Sequence, residues 1–455
     1  MVKGRQPTSG SLTFAYLFSS GAMAASSAVR GKLLAVTLGP SGVGVVSQCV
    51  GFIITLGLFC SFGLEPPIVI DAASCGGTEV SYGDRRRLMG MLWSATLLCG
   101  ILGLTYPLSA RWLADVFLGY KRPDESVLVV AGAIQGIRLL FSAVVYGQGG
   151  ARPLVLLGVT AFGASVCSSL VFSFWSEALD YAGVILLLET IAATLPPLYM
   201  GLRLLEHSRP ERRLRFAGNG AKEQTGGKTG KGGDGTWWIV PGRMLMGVVG
   251  IIFGSMSLMF FRSRLVETLG SRQLGRFHAS YAVMYNLPNV AMAALGRSAL
   301  AAMGRAAATS RKRESRKVLL QLSLVVIPLA VGLSVGGRIV VHVLYSRDCV
   351  PETSVFLWGA AGLLLVGAAV YASALLMVRG MNTARILANC CIGVVLMAGA
   401  SSGRFQSLPL CFVLLALSGA ARLLFSVLSL LVRRAAERRR ARKGQEESVV
   451  LTDPV

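Results

Sequence analysis

Hydrophobic residues run along the chain in blocks of roughly twenty, separated by short polar stretches rich in Arg, Lys, Gly and Pro. A helix of about 20 apolar residues crosses the hydrocarbon core of a bilayer. About twelve such blocks are present, with cores near 12–29, 43–64, 88–108, 126–147, 153–174, 180–202, 238–261, 278–303, 318–345, 354–378, 386–402 and 407–432. The pattern predicts an all-α integral membrane protein with about twelve transmembrane helices.

One motif occurs twice. LLAVTLGPSGVGVV, from Leu33, is echoed by RLVETLGSRQLGRF, from Arg264, so that Leu38, Gly39 and Gly44 fall on Leu269, Gly270 and Gly275. A second echo keeps nearly the same offset: SARWLADVFLG, containing Arg111, returns as GGRIVVHVLYS, containing Arg338. Two echoes in one order predict two homologous halves. In a membrane protein, duplicated halves are a mark of carriers that hold their substrate at the repeat interface. The expected organisation is a six-helix bundle over 1–202, a linker over 203–236, a second six-helix bundle over 237–433 and a tail over 434–455.

Composition agrees with a membrane chain. Of 455 residues, 53% are hydrophobic and only 15% charged, and the mean hydropathy of +0.61 lies outside the soluble range. The net charge of +23 would suit nucleic acid, but its distribution excludes that class. Lys and Arg gather in alternate loops: Arg85 to Arg87, Arg203 to Lys231, Arg305 to Lys317, Arg379 to Arg385, and the tail from Arg433 to Lys443. The positive-inside rule places those loops and both termini in the cytoplasm, which requires an even number of spans. The apolar run after MVKGRQPTSG reads as a retained first helix, because Arg30 and Lys32 stand where a signal-peptide cleavage site would be. GNGAKEQTGGKTGKGGDG buries almost no apolar surface and is expected to be a flexible linker. Its GGKTGKGG lacks the strand and helix that flank a phosphate loop. The basic tail either continues the last helix along anionic headgroups or serves as a topology anchor.

Catalytic and metal chemistry find little support. Of nine cysteines, Cys49, Cys60, Cys99, Cys167, Cys390, Cys391 and Cys411 lie in apolar blocks as small packing residues. Cys75 and Cys349, in loops, are the candidates for reactive thiols. His207, His278 and His342 join no metal-ligand spacing and no nucleophile–base set.

Charged groups inside spans are costly unless they face water or a partner, so each is a functional candidate. Arg138, Arg243, Arg297, Arg338 and Arg422 fall within blocks. Arg243 and Arg338 sit near ends and can snorkel to the interface, whereas Arg138 and Arg422 lie deep and Arg297 is intermediate. Glu65, Asp71 and Glu189 are the acids available to pair with them. Full pairing makes the arginines structural; a surplus leaves positive charge in a water-filled cavity. Arg30 and Lys32 precede the first LG motif much as Arg262 and Arg264 precede the second, a cationic cluster suited either to clamping an anion or to marking the outer interface.

R-x-K-L-L-A-x-x-L-G-P-x-G-x-G at Arg30 to Gly44, R-x-x-x-x-L-G-x-x-x-x-G at Arg264 to Gly275, and VVIPLAVGL at Val325 to Leu333 resemble bacterial Wzx-type polysaccharide flippases. These belong to the multidrug/oligosaccharidyl-lipid/polysaccharide (MOP) exporter superfamily. The resemblance covers almost the whole chain and rests on order and spacing. It implies two pseudo-symmetric six-helix bundles around a central cavity in the bacterial inner membrane, with both termini cytoplasmic. The substrate it implies is an undecaprenyl-diphosphate-linked oligosaccharide, with membrane lipids and other polysaccharide assembly proteins as partners and no resident cofactor. Arg30, Arg138, Arg297 and Arg422 are the substrate-binding candidates of such a cationic cavity; Asp71 and Glu189 are the candidates for coupling a proton or sodium ion. The rival readings are a multidrug or peptidoglycan-precursor exporter of the same superfamily, a membrane polysaccharide polymerase or ligase, and a structural scaffold. Cationic drugs favour buried carboxylates, a polymerase needs a large outward loop, and neither matches an arginine-rich interior with short outward loops.

Overall fold

The fold is seen in a computed structural model that describes residues 9–62, 64–65, 68–69, 72, 82–105, 118, 125–148, 150–175, 177–207, 249–250, 252–289, 291–292, 311–379, 381–403 and 407–450. The chain divides into two units, Met1–Ile252 and Phe253–Val455. The first holds α1 (Ser9–Thr37), α2 (Gly39–Cys60), α3 (Tyr82–Thr105), α4 (Glu125–Gln148), α5 (Ala151–Phe174) and α6 (Ala182–His207). The second holds α7 (Ser257–Tyr281), α8 (Arg311–Leu344), α9 (Thr353–Val378), α10 (Asn382–Ser401) and α11 (Leu408–Val450). Widened π-helical turns, Ile252–Met256 and Ala282–Asn286, flank α7.

The repeated glycine explains why eleven described helices answer to about twelve apolar blocks. Gly270 has φ 82° and ψ 168° inside α7, which splits that helix into two arms. Gly39, its counterpart, has φ 68° and joins α1 to α2. Only glycine enters such backbone regions without strain, so the LG motif is the hinge between the first two helices of each half. Counting the arms of α7 as helices seven and eight, the second unit repeats the packing order of the first. In the first unit α1 packs on α5, α2 and α3 on α4, and α4 and α5 on α6. In the second, α7 packs on α10, the turn at Ala282–Asn286 and α8 on α9, and α9 and α10 on α11.

Lipid tails are as apolar as leucine, so close packing rather than water exclusion drives helix association in a membrane. Gly132 and Gly136 of α4 form a small-xxx-small pair against α2: a β-carbon at Gly136 would lie 2.8 Å from Cys60 Cβ and 3.1 Å from Gly57 O. The second unit does the same where Gly359 and Gly362 of α9 receive Met284 and Tyr285. Large apolar side chains meanwhile face outward. On α8, Leu320, Leu324, Val331, Val335, Ile339 and Val343 repeat every four or seven residues on one face, and Val335 is 82% exposed. Among the described residues eight helices are long and apolar enough to cross a membrane.

Several expectations about boundaries change. α1 runs on to Thr37 rather than ending near residue 29, so Arg30 and Lys32 are helical residues two turns before the Gly39 hinge and not part of a loop. Likewise the seventh helix continues to Gly270, placing Arg262 and Arg264 within it. In both cases charged residues near a membrane end hide the helix continuation from an apolar count. The basic tail continues α11 as far as Val450. The glycine–lysine linker, the first copy of the second echo around Arg111, and Cys75 lie outside the described residues.

Gly270→Ala is expected to cost about 1–3 kcal/mol through backbone strain alone, since a β-carbon there meets nothing within 4 Å. Gly39→Ala should cost about 1–2 kcal/mol. Gly21→Ala, also in open space but on ordinary helical backbone, should leave stability unchanged or slightly raised. Thermal unfolding in detergent micelles checks the ranking.

Candidate functional site

A polar cluster ties three helices of the first unit together. α1 and α5 approach closely, with Gly158 against the Ser19 backbone. A helical side chain leans back toward its own N-terminus, so Arg30 meets Ser165 of α5. The Arg30 Nη2 donates to Ser165 Oγ and to Glu189 Oε1 of α6, forming an ion pair. Ser168 Oγ donates to Glu189 Oε2 at 2.7 Å. Arg30 and Glu189 side chains are only 13% and 16% exposed. Their mutual neutralisation, with the Ser168 hydroxyl donating to the carboxylate and the Ser165 hydroxyl accepting from the guanidinium, is what makes both charges tolerable there. One donor remains: Arg30 Nε is buried without a hydrogen-bond partner among the described residues.

Arg138 of α4 is half-buried, near enough to Glu189 and Arg30 for their charges to act on it. Its one hydrogen bond among the described residues, Nη1 to Gln135 Oε1, is 3.4 Å long and therefore weak. The first unit thus brings together Arg30, Arg138 and Glu189, of which Arg30 and Glu189 neutralise each other. Asp71 and Arg297 lie outside the described residues, as does Arg243.

In the second unit Arg422 of α11 donates through Nη2 to Ser373 Oγ of α9 at 3.2 Å. Arg385, in the first turn of α10, is close enough to repel it. Arg338 is exposed on α8 and donates to Thr353 Oγ1 at 3.3 Å, in keeping with an interfacial position. By composition Arg385 groups with the basic loops, because three residues of helix start look like a loop. Arg262 is a further buried cation, 7% exposed, with its guanidinium carbon 5.1 Å from the Tyr281 ring centroid and 6.0 Å from that of Phe277. It clamps one arm of α7 to the other by cation–π contact, and aromatic residues spaced a turn apart after Gly275 are its only sequence signal.

Cys349 departs from expectation. It is fully buried between α8 and α9, and burial pushes its thiol above the ordinary range, so it is not a reactive thiol.

No family model matches the chain, and no curated protein matches it. Solved structures do. An inward-facing multidrug resistance MATE family transporter of the MOP superfamily aligns with TM-score 0.61 at 13% identity, covering 96% of each chain. The MATE multidrug transporter DinF-BH aligns with TM-score 0.64 at 12% identity over 95% of this chain and 98% of its own. A MOP superfamily transporter from Pyrococcus furiosus, for which reverse polarity of the binding pocket suggests a different function, aligns with TM-score 0.62 at 13% identity over 94% of each. The chain therefore has the MATE/MOP transporter fold and is a multi-pass membrane protein.

Glu189→Gln should destabilise the first unit by about 3 kcal/mol by stranding the Arg30 charge, and adding Arg30→Gln should recover part of that loss. A double-mutant cycle on thermal unfolding measures the coupling. Maleimide at neutral pH should label Cys349 only after denaturation, read by mass spectrometry of the labelled peptides.

Proposed function

We propose that this protein is a flippase that moves undecaprenyl-diphosphate-linked oligosaccharide repeat units across the bacterial inner membrane for surface polysaccharide assembly, by alternating access. The observation that carries this reading is the sign of the membrane charges. Across the eight described helices both long and apolar enough to cross a membrane, Glu189 is the sole carboxylate away from a helix end, and Arg30 neutralises it; Glu267, within α7, is paired with Arg264. Arg138, Arg385 and Arg422 have no carboxylate partner among the described residues. Cations held without counter-charges in hydrocarbon are stabilised by an anionic ligand, and guanidinium forks match phosphate oxygens bidentately. Arg30, Arg138 and Arg422, with Arg297, are the residues proposed to hold the diphosphate. The undecaprenyl tail remains in lipid throughout.

The fold has been solved in inward-facing and outward-facing MATE transporters, which supports alternating access here. Coupling to a proton or sodium ion through Glu189 requires that the acid first let go of Arg30; Asp71 is the other candidate. Polysaccharide assembly proteins that consume the translocated product are the expected partners.

The likeness to multidrug transporters favours a second reading, export of drugs. Charge separates the two, because cationic drugs gain nothing from an arginine surplus.

The test is rescue of surface polysaccharide in a panel of flippase-deficient bacteria with different repeat units, with Arg138→Ala and Arg338→Gln compared at matched membrane expression. Rescue by the wild type and by Arg338→Gln, with at least a tenfold loss for Arg138→Ala, is the expected result. Lack of rescue across the panel, together with wild-type protection against cationic dyes, would favour drug export instead.

A further inference from the structure

The junction of α9, α10 and α11 gathers arginines that the packing leaves incompletely satisfied. Arg379 follows α9, Arg385 lies in the first turn of α10, and Arg422 and Arg433 lie on α11. Arg379 Nη1, Arg385 Nε and Arg422 Nε are each buried with no hydrogen-bond partner among the described residues. A buried guanidinium N–H without an acceptor is costly, and three at one junction compound that cost. Arg385 and Arg422 also repel each other. Arg433 relieves only the rim, donating through Nη1 to the Arg379 carbonyl and through Nε to Glu437 Oε1 at 2.9 Å.

The backbone adds to the same bias. α10 starts at Asn382 with no side-chain cap, so its first N–H groups have no cap acceptor among the described residues and the positive end of its dipole adds to the arginines. A cation in the first turn of a helix is unfavourable unless an anion sits between it and the exposed N–H groups. Arg385 leans back toward that N-terminus by the ordinary geometry of helical side chains.

We infer that the α9–α10–α11 junction binds the phosphate of a lipid headgroup, with Arg385 and Arg422 as its principal ligands, Ser373 orienting Arg422, and Arg379 at the outer rim. Arg422 and Arg433 are eleven residues apart on α11, about 16 Å along the axis. The cations therefore form a ladder from the helix ends inward, which suits a headgroup arriving from the interface. Exposed Leu387 on α10 and Leu424 and Leu428 on α11 offer apolar surface for the attached chain. The phosphate comes either from a bilayer phospholipid or from an isoprenoid diphosphate. The site shares Arg422 with the transport reading but stands without it, since a phospholipid would bind whatever is exported.

Native mass spectrometry of the full-length protein in detergent, titrated with phosphatidylglycerol, farnesyl diphosphate, phosphatidylcholine or inorganic pyrophosphate, tests this. Wild type should bind at least one of the two anionic lipids at least tenfold more tightly than phosphatidylcholine. Arg385→Gln and Arg422→Gln should each weaken that binding about tenfold, and Arg338→Gln on α8 should not change it. Preference for phosphatidylglycerol identifies a bilayer lipid, and preference for farnesyl diphosphate an isoprenoid ligand; both support the site. Unchanged lipid binding in the Arg385→Gln/Arg422→Gln double variant, or pyrophosphate binding without lipid binding, overturns it. Should the glutamine variants fail to fold, Arg385→Lys and Arg422→Lys keep the charge but lose the fork, and undiminished binding in both would overturn the inference equally. Export assays do not enter this test, so its failure is separable from failure of the transport reading.

Discussion

A guanidinium in an apolar membrane helix must be given an acceptor, a counter-charge or water, and the interior of this protein is arranged around that requirement. Three solutions coexist. Arg30 is met by Glu189 and Ser165, so one carboxylate on α6 neutralises it and one hydroxyl on α5 accepts from it. Arg262 is met by the faces of Phe277 and Tyr281, which makes a cation part of the hinge clamp in α7. Arg138, Arg385 and Arg422 receive only weak or partial acceptors among the described residues. The first two solutions stabilise the fold. The third leaves unmet donors on Arg385 and Arg422, and unmet donors are where an anionic ligand gains most.

The hinge glycines connect this charge placement to the duplicated architecture. Gly39 and Gly270 both hold left-handed backbone between the first two helices of their halves, which sets where each helix hairpin turns. Arg30 lies nine residues before its hinge and Arg262 eight before its own, so each half carries a buried cation two turns ahead of the bend. The one-residue shift turns the two side chains by about 100° on the helix. One meets a carboxylate on α6 and the other an aromatic pair on the second arm of α7. A repeated packing order thus carries different chemistry in its two halves, because backbone constraints repeat while side-chain environments do not.

Much of this was legible from the chain. Blocks at 126–147, 153–174 and 354–378 correspond closely to α4, α5 and α9, since apolar runs with clean polar ends mark membrane helices directly. The doubled LG motif announced two halves, and its conformational meaning followed from glycine alone once φ was known. Helix ends beyond Val29 and Phe261 were illegible because arginines in a helix read as loop residues by composition. The Arg30–Glu189 pair was equally hidden: 159 residues separate its members, and nothing in either segment selects the other before α1 and α5 are packed. Arg385 is hidden for a related reason, as a helix start of three residues beside a basic loop has no periodicity to read.

These placements bear on how the fold could carry either sign of cargo. The same architecture serves MATE multidrug transporters and a MOP superfamily transporter from Pyrococcus furiosus with reversed pocket polarity, so the scaffold itself does not dictate charge. What dictates it is which helix positions carry arginine and whether a carboxylate lies within reach. In the first unit one carboxylate serves two arginines, Arg30 directly and Arg138 only through its field. A ligand phosphate that captured Arg30 would release Glu189 beside Arg138, and the acid would then need a new cation or a proton. On the flippase reading proposed above, anion binding and ion coupling through Glu189 would in that way be one event, joined through a single carboxylate.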